Sequence, residues 1–74
     1  MSDEERAKLK EAILLVYDAM EEKGYNAIDQ FVGYLASGDP SYVTNNRNAR
    51  NVLMKLDRDD VLEELLRTYI GNAR

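Results

Sequence analysis

Apolar residues recur at three- and four-residue intervals along most of the chain, and nowhere do they alternate for long enough to make a strand. Leu9, Ala12, Ile13, Val16, Tyr17 and Met20 share one face of a helix expected over residues 5–23. Leu15 and Ala19 widen that face, whereas Leu14 falls on the charged side among Glu11, Asp18 and Glu21. Ser2 with Glu5 fits a capping box, and Gly24 supplies a left-handed stop. Asn26 can cap a second helix over 27–36, with Ile28, Phe31, Val32 and Leu35 inward and Gly33 allowing a close neighbour. Ser37-Gly38-Asp39-Pro40 ends it, because Gly38 can take positive φ and Pro40 has no amide hydrogen to continue a helix.

Tyr42 and Val43 lead into Thr44-Asn45-Asn46, any of which can cap a third helix over 47–56 with Ala49, Val52, Leu53 and Leu56 inward. Asp57 and Asp60 repeat the cap arrangement for a fourth helix over 58–70, which Gly71 closes; Val61, Leu62, Leu65, Leu66, Tyr69 and Ile70 cover about half its circumference. The expectation is one all-α domain over residues 1–74, a compact bundle of about four helices. Apolar arcs of about 180° on the first and last helices exceed what three small neighbours can cover, which implies a homodimer. Leu14 is then either an ordinary exposed leucine or a contact at the rim of that seam.

Composition narrows the chemistry. At 74 residues a single thin core is expected, and the absence of both cysteine and histidine removes disulfides, thiolate zinc sites and the commonest general base. The carboxylates cluster in first helical turns and on expected outward faces, Glu63-Glu64 included, so solvation and capping account for them. No glycine-rich phosphate loop or spaced calcium loop is present, and neither an enzyme nor a cofactor is expected. The acidic start lacks the marks of a signal peptide, and no apolar run approaches the length of a membrane span, so a cytoplasmic protein is expected.

Residues 1–40 carry nine acids against four bases, and residues 41–74 carry five acids against six bases. The one basic concentration, Arg47, Arg50, Lys55 and Arg58, flanks the loop that displays Tyr42. Three readings stand: salt bridges to the acidic helices, a protein-binding patch anchored by Tyr42, Arg47 and Arg50, and a small DNA-reading regulator. The acidic balance argues against nucleic acid.

Longer motifs say more than periodicity. The run Tyr17-Asp18-Ala19-Met20-Glu21-Glu22-Lys23-Gly24-Tyr25-Asn26, then Gln30-Phe31-Val32-Gly33-Tyr34-Leu35-Ala36-Ser37-Gly38-Asp39-Pro40-Ser41-Tyr42, resembles the small IreB/ReoM regulatory proteins of Gram-positive bacteria. The resemblance continues through Asn48-Ala49-Arg50-Asn51, Lys55-Leu56-Asp57-Arg58-Asp59-Asp60 and Glu63-Glu64-Leu65, covering roughly residues 13–70. It implies a helical homodimer, phosphorylated by a membrane Ser/Thr kinase with extracellular PASTA modules and dephosphorylated by a partner phosphatase. In that family the phosphorylation state tunes cell-envelope synthesis and β-lactam tolerance, in some members through Clp-protease degradation of the enzyme that commits precursors to peptidoglycan.

Three departures from the family pattern stand out. Members carry a longer leader with a phosphorylated threonine, whereas four residues precede the expected first helix here and none is threonine. Ala27 replaces a proline, and the family's P-R-H-x-D-A-R segment reads Thr44-Asn45-Asn46-Arg47-Asn48-Ala49-Arg50, so that Arg50 matches and Asn45 stands where the first arginine falls. Ser2 is the one hydroxyl in the part corresponding to the leader and is the phosphorylation candidate, with Thr44 and Thr68 behind it. Its competing role is the helix cap.

Overall fold

The computed structural model describes all residues, 1–74, as four α-helices with no strand. α1 spans Asp3–Glu22, α2 Ala27–Ser37, α3 Ala49–Met54 and α4 Arg58–Ala73; single 3₁₀ turns at Pro40–Tyr42 and Asn46–Asn48 lie between α2 and α3. A 20-residue helix is about 30 Å long, so α1 accounts for the longest dimension of 33 Å. It is the spine against which α2, α3 and α4 all pack.

The expected capping box starts α1: the Ser2 hydroxyl accepts the Glu5 amide at 3.1 Å, and the Glu5 side chain reaches back to the Ser2 amide at 3.4 Å. Together with Asp3, Glu4 and Glu5 in the first turn, this satisfies orphan amides and the positive end of the helix dipole. At the other end Gly24 adopts φ +78°, the Tyr25 amide bonds the Met20 carbonyl and the Gly24 amide bonds the Glu21 carbonyl. This doubly bonded left-handed stop turns the chain straight into α2, whose cap is Asn26 accepting from the Asp29 amide at 3.2 Å.

The core comprises Leu9, Val16, Ala19 and Met20 of α1, Ala27, Phe31 and Tyr34 of α2, Val43 of the loop, Ala49 and Leu53 of α3, and Val61 of α4. α2 therefore differs from its expected orientation. Phe31 is inward, but Ile28 and Val32 are 61% and 58% exposed, while Ala27 and Tyr34 take the buried positions. The apolar arc of α2 is wider than its seat on α1, and the 27/31/34 stripe is the edge that fits. Gly33 meets its expectation differently: a Cβ there would collide with the Tyr42 ring, so its bare backbone is the bed on which that ring rests.

The expected helix over 47–56 is shortened at both ends, to Ala49–Met54. Arg47 (φ 56°) and Asn48 (φ 61°) are both left-handed, which no continuing α-helix allows. Side chains hold them there. Thr44 Oγ1 accepts the Asn46 amide at 3.1 Å, Asn46 Nδ2 donates to the Ala19 carbonyl at 3.0 Å, and Asn51 Nδ2 donates to Asn48 Oδ1 at 2.8 Å. Glycine tolerates this conformation and alanine does not, whereas inside a helix alanine is better by about 1 kcal/mol. Arg47→Gly is accordingly expected to be more stable than Arg47→Ala by about 1 kcal/mol in denaturant unfolding; the reverse order would restore the longer helix.

α4 departs furthest. It continues past Gly71 to Ala73, because Gly71 is not in a left-handed conformation and nothing stops the helix there. Val61 and Glu64 are its buried residues, whereas Leu66, Tyr69 and Ile70 are 63%, 71% and 48% exposed. The Val61/Glu64/Thr68 edge faces α1, and the Leu62/Leu65/Leu66/Tyr69/Ile70 arc, about 140° wide at 100° per residue, is left uncovered. The wide arc expected on α1 is largely covered, since Ile13, Leu15 and Tyr17 pack against the core.

Candidate protein-binding site

The three arginines near Tyr42 prove to be tied into the fold, and the Lys55 side chain is exposed. Arg50 Nε donates to the carbonyls of Val43 at 2.9 Å and Pro40 at 3.2 Å, clasping the loop that carries Tyr42. The Tyr42 carbonyl accepts from Gln30 Nε2 at 2.9 Å, and its ring lies over Gly33. Arg47 pairs with Glu22 at 2.9 Å, an exposed contact worth about 0–1 kcal/mol. Arg58 donates to the Leu35 carbonyl at 3.0 Å, placing a cation at the negative end of α2.

Tyr42 and Arg50 do share a feature: with Tyr25, Gln30, Ser41 and Asn45 among others they line a small depression of about 150 Å³. Arg47 does not line it. Asp39, at the head of this loop, has its carboxyl lowered below the usual range by hydrogen bonds to Ser41, whose amide donates to Asp39 Oδ1 at 2.9 Å.

A larger feature lies between α1 and α4. An open groove of about 520 Å³ has Ala7, Ile13, Leu14 and Leu65 as its apolar residues, with Asp3, Arg6, Lys10, Glu64 and Thr68 around them. Leu14 is 51% exposed. It is therefore not isolated, but belongs to the groove that continues towards the uncovered arc of α4.

Glu64 is the residue that the sequence pattern misplaced. Expected to face solvent, it is 6% exposed and bonded to Arg6 Nε at 2.6 Å and Nη2 at 3.4 Å, while Thr68 Oγ1 donates to it at 2.8 Å. The signal was present in the 61/64/68 spacing, which aligns a valine, a carboxylate and a hydroxyl on one helix edge. These bonds, Arg6 first and Thr68 next, hold the Glu64 carboxyl below its ordinary range against the opposing effect of burial. Its folded pKa lies below the unfolded value of about 4.3, so the stabilisation is fully present above that value and is lost as pH falls through the folded one. Glu63, lowered by Arg67, and Asp39 share in this acid loss. Acid unfolding of Glu64→Gln is expected to be shallower than that of the native sequence between pH 5 and 2; equal slopes would remove Glu64 from the account.

No group of three or more acidic residues is placed to hold a metal ion, and no helix is long and apolar enough to cross a membrane. The domain is all-helical, with an uncovered apolar arc on α4 and a tyrosine-bearing loop before α3. The family described as IreB regulatory phosphoprotein matches residues 1–71, and the chain belongs to the IreB family. A UPF0297 protein of Lachnoclostridium phytofermentans is 56% identical over 64 residues, 86% of this chain and 73% of the relative. Another, from Ruminiclostridium cellulolyticum, is 47% identical over 72 residues, 97% of this chain and 82% of the relative.

Proposed function

We propose that this chain is a non-enzymatic cytoplasmic regulator of cell-envelope homeostasis, acting through protein contacts as a homodimer. A PASTA-type Ser/Thr kinase sets its phosphorylation state, a phosphatase reverses it, and the output is peptidoglycan synthesis and β-lactam tolerance, with the Clp-protease machinery as a further partner. The observation that carries this reading is the match of residues 1–71 to a family of regulatory phosphoproteins. Ser2 is the modified residue, Tyr42, Arg47 and Arg50 form the partner-binding face, and Leu14 joins the α4 arc in the dimer seam.

The exposed side chains support the division of labour. Leu66, Tyr69 and Ile70 form an unpaired helical face suited to self-association. Tyr42, 39% exposed on a clasped loop, is a rigid aromatic anchor of the kind that dominates protein interfaces. The DNA-reading alternative fares worse: α3, at six residues, is too short to lie in a major groove as a recognition helix.

Crosslinked capture from native cells with the tagged chain tests the proposal. Recovery of the PASTA kinase, its phosphatase or Clp components, lost on Tyr42→Ala, is expected. Recovery of DNA with a steep salt dependence in their place would favour the alternative.

A further inference from the structure

The phosphorylation reading leaves open how a charge at Ser2 would be felt elsewhere, and the side chains around α1's first turn supply a route. We propose that Arg6 couples a phosphate on Ser2 to the seating of α4; this rests on the phosphorylation reading above and names its regulatory mechanism. The Arg6 amide donates to the Ser2 carbonyl at 3.0 Å, so the two residues stand one turn apart on the same side of α1. Arg6 is also the first cation along that helix. Its guanidinium forms the ion pair of Glu64, through Nε at 2.6 Å and Nη2 at 3.4 Å, with Nη1 left uncommitted.

The remaining charges direct the response. Phosphorylation joins Ser2 Oγ to the γ-phosphorus of ATP; the bridging P–O bond to the β-phosphate breaks, ADP leaves, and the hydroxyl proton passes to a base of the kinase. Ser2 then carries a group of about −1.5 to −2 charge. The Ser2 hydroxyl at present donates to Glu5 Oε1 at 3.1 Å, a bond the phosphate cannot make, so Glu5 is expelled from the cap. Asp3, Glu4 and Glu5 all repel the new dianion, whereas Arg6 attracts it. Arg6 is thereby drawn away from Glu64, which keeps the Thr68 hydroxyl but lies at 6% exposure without its cation. The pair joins α4 to α1 on the edge of the groove that also carries Leu14 and Leu65. Weakening it loosens α4 and alters the face offered to a partner. Two further cations do not take over the role of Arg6 at Glu64: Arg67 is bonded to Glu63 at 2.8 Å, and Lys10 stands a further turn along α1.

Phosphoserine installed at residue 2 of the full chain by synthesis tests this without any kinase. Amide hydrogen exchange between Val61 and Thr68 is expected to accelerate about tenfold, with α2 and α3 unchanged. In Arg6→Gln the same amides should already exchange fast, and phosphate should add nothing. Unchanged exchange on phosphorylation of the native sequence, or an equal acceleration in Arg6→Gln, would overturn the coupling. If Arg6→Gln does not fold, the Arg6 Nε–H resonance of the native chain decides: it moves with the phosphate if the coupling exists and stays in place if it does not. Absence of kinase labelling at Ser2, by contrast, would remove the phosphorylation reading and leave the coupling measurement standing.

Discussion

Leu53→Ala is expected to cost about 2–5 kcal/mol, the range for deleting a fully enclosed leucine side chain. Leu53 is 0% exposed and lies on α3, which has only six residues and no side-chain cap at its start. So short a helix has almost no stability of its own and persists because Ala49 and Leu53 are seated against α1. Small domains are stable by about 0.05–0.15 kcal/mol per residue, so the loss consumes a large part of what a 74-residue chain has. Denaturant unfolding should show a midpoint shifted far down or a chain already unfolded. A shift within about 0.5 kcal/mol of zero would mean that α3 is not held by this contact.

Leu66→Glu with Tyr69→Glu is expected to abolish self-association while leaving the protomer folded. The two residues are 63% and 71% exposed, so charging them removes little packing within one chain. In a seam they would become buried charges without partners, at a cost expected to weaken the dimer about a hundredfold or more. Sedimentation equilibrium at micromolar concentration should find a dimer for the native sequence and a helical monomer for the double variant. A stable native monomer would remove the dimer from the account; an unfolded variant would show that this arc packs within the protomer.

What the sequence made legible follows from how local each determinant is. The capping box at Ser2 and Glu5, the Gly24 stop and the Asn26 cap are written within a few residues, and each is found where the pattern placed it. Helical periodicity also identified Leu9, Val16, Met20, Ala49 and Leu53 as inward. It could not decide which part of a wide arc would be seated. Ile28 and Val32 lost their places to Ala27 and Tyr34 because the angle of α2 against α1 is a tertiary property, and the same uncertainty concealed the burial of Glu64.

The loop before α3 was illegible for another reason. Its left-handed turn at Arg47 and Asn48 is held by bonds from Asn46 to Ala19 and from Arg47 to Glu22, partners more than twenty residues away. A string of polar residues gave several caps to choose from and no sign that the helix would begin later. The basic cluster showed its charge but not its use: Arg50 was recognisable as an exposed-type residue, whereas its clasp on the Pro40 and Val43 carbonyls depends on the path of a loop.

Whether this chain is a switched phosphoprotein is decided by incubating it with the cytoplasmic kinase domain of a PASTA kinase and ATP and mapping the modified residues by mass spectrometry. Phosphate is expected at Ser2, reduced to background in Ser2→Ala. Absence of phosphate from every serine and threonine would rule the switch out, and phosphate confined to Thr44 would move it from the start of α1 to the loop before α3.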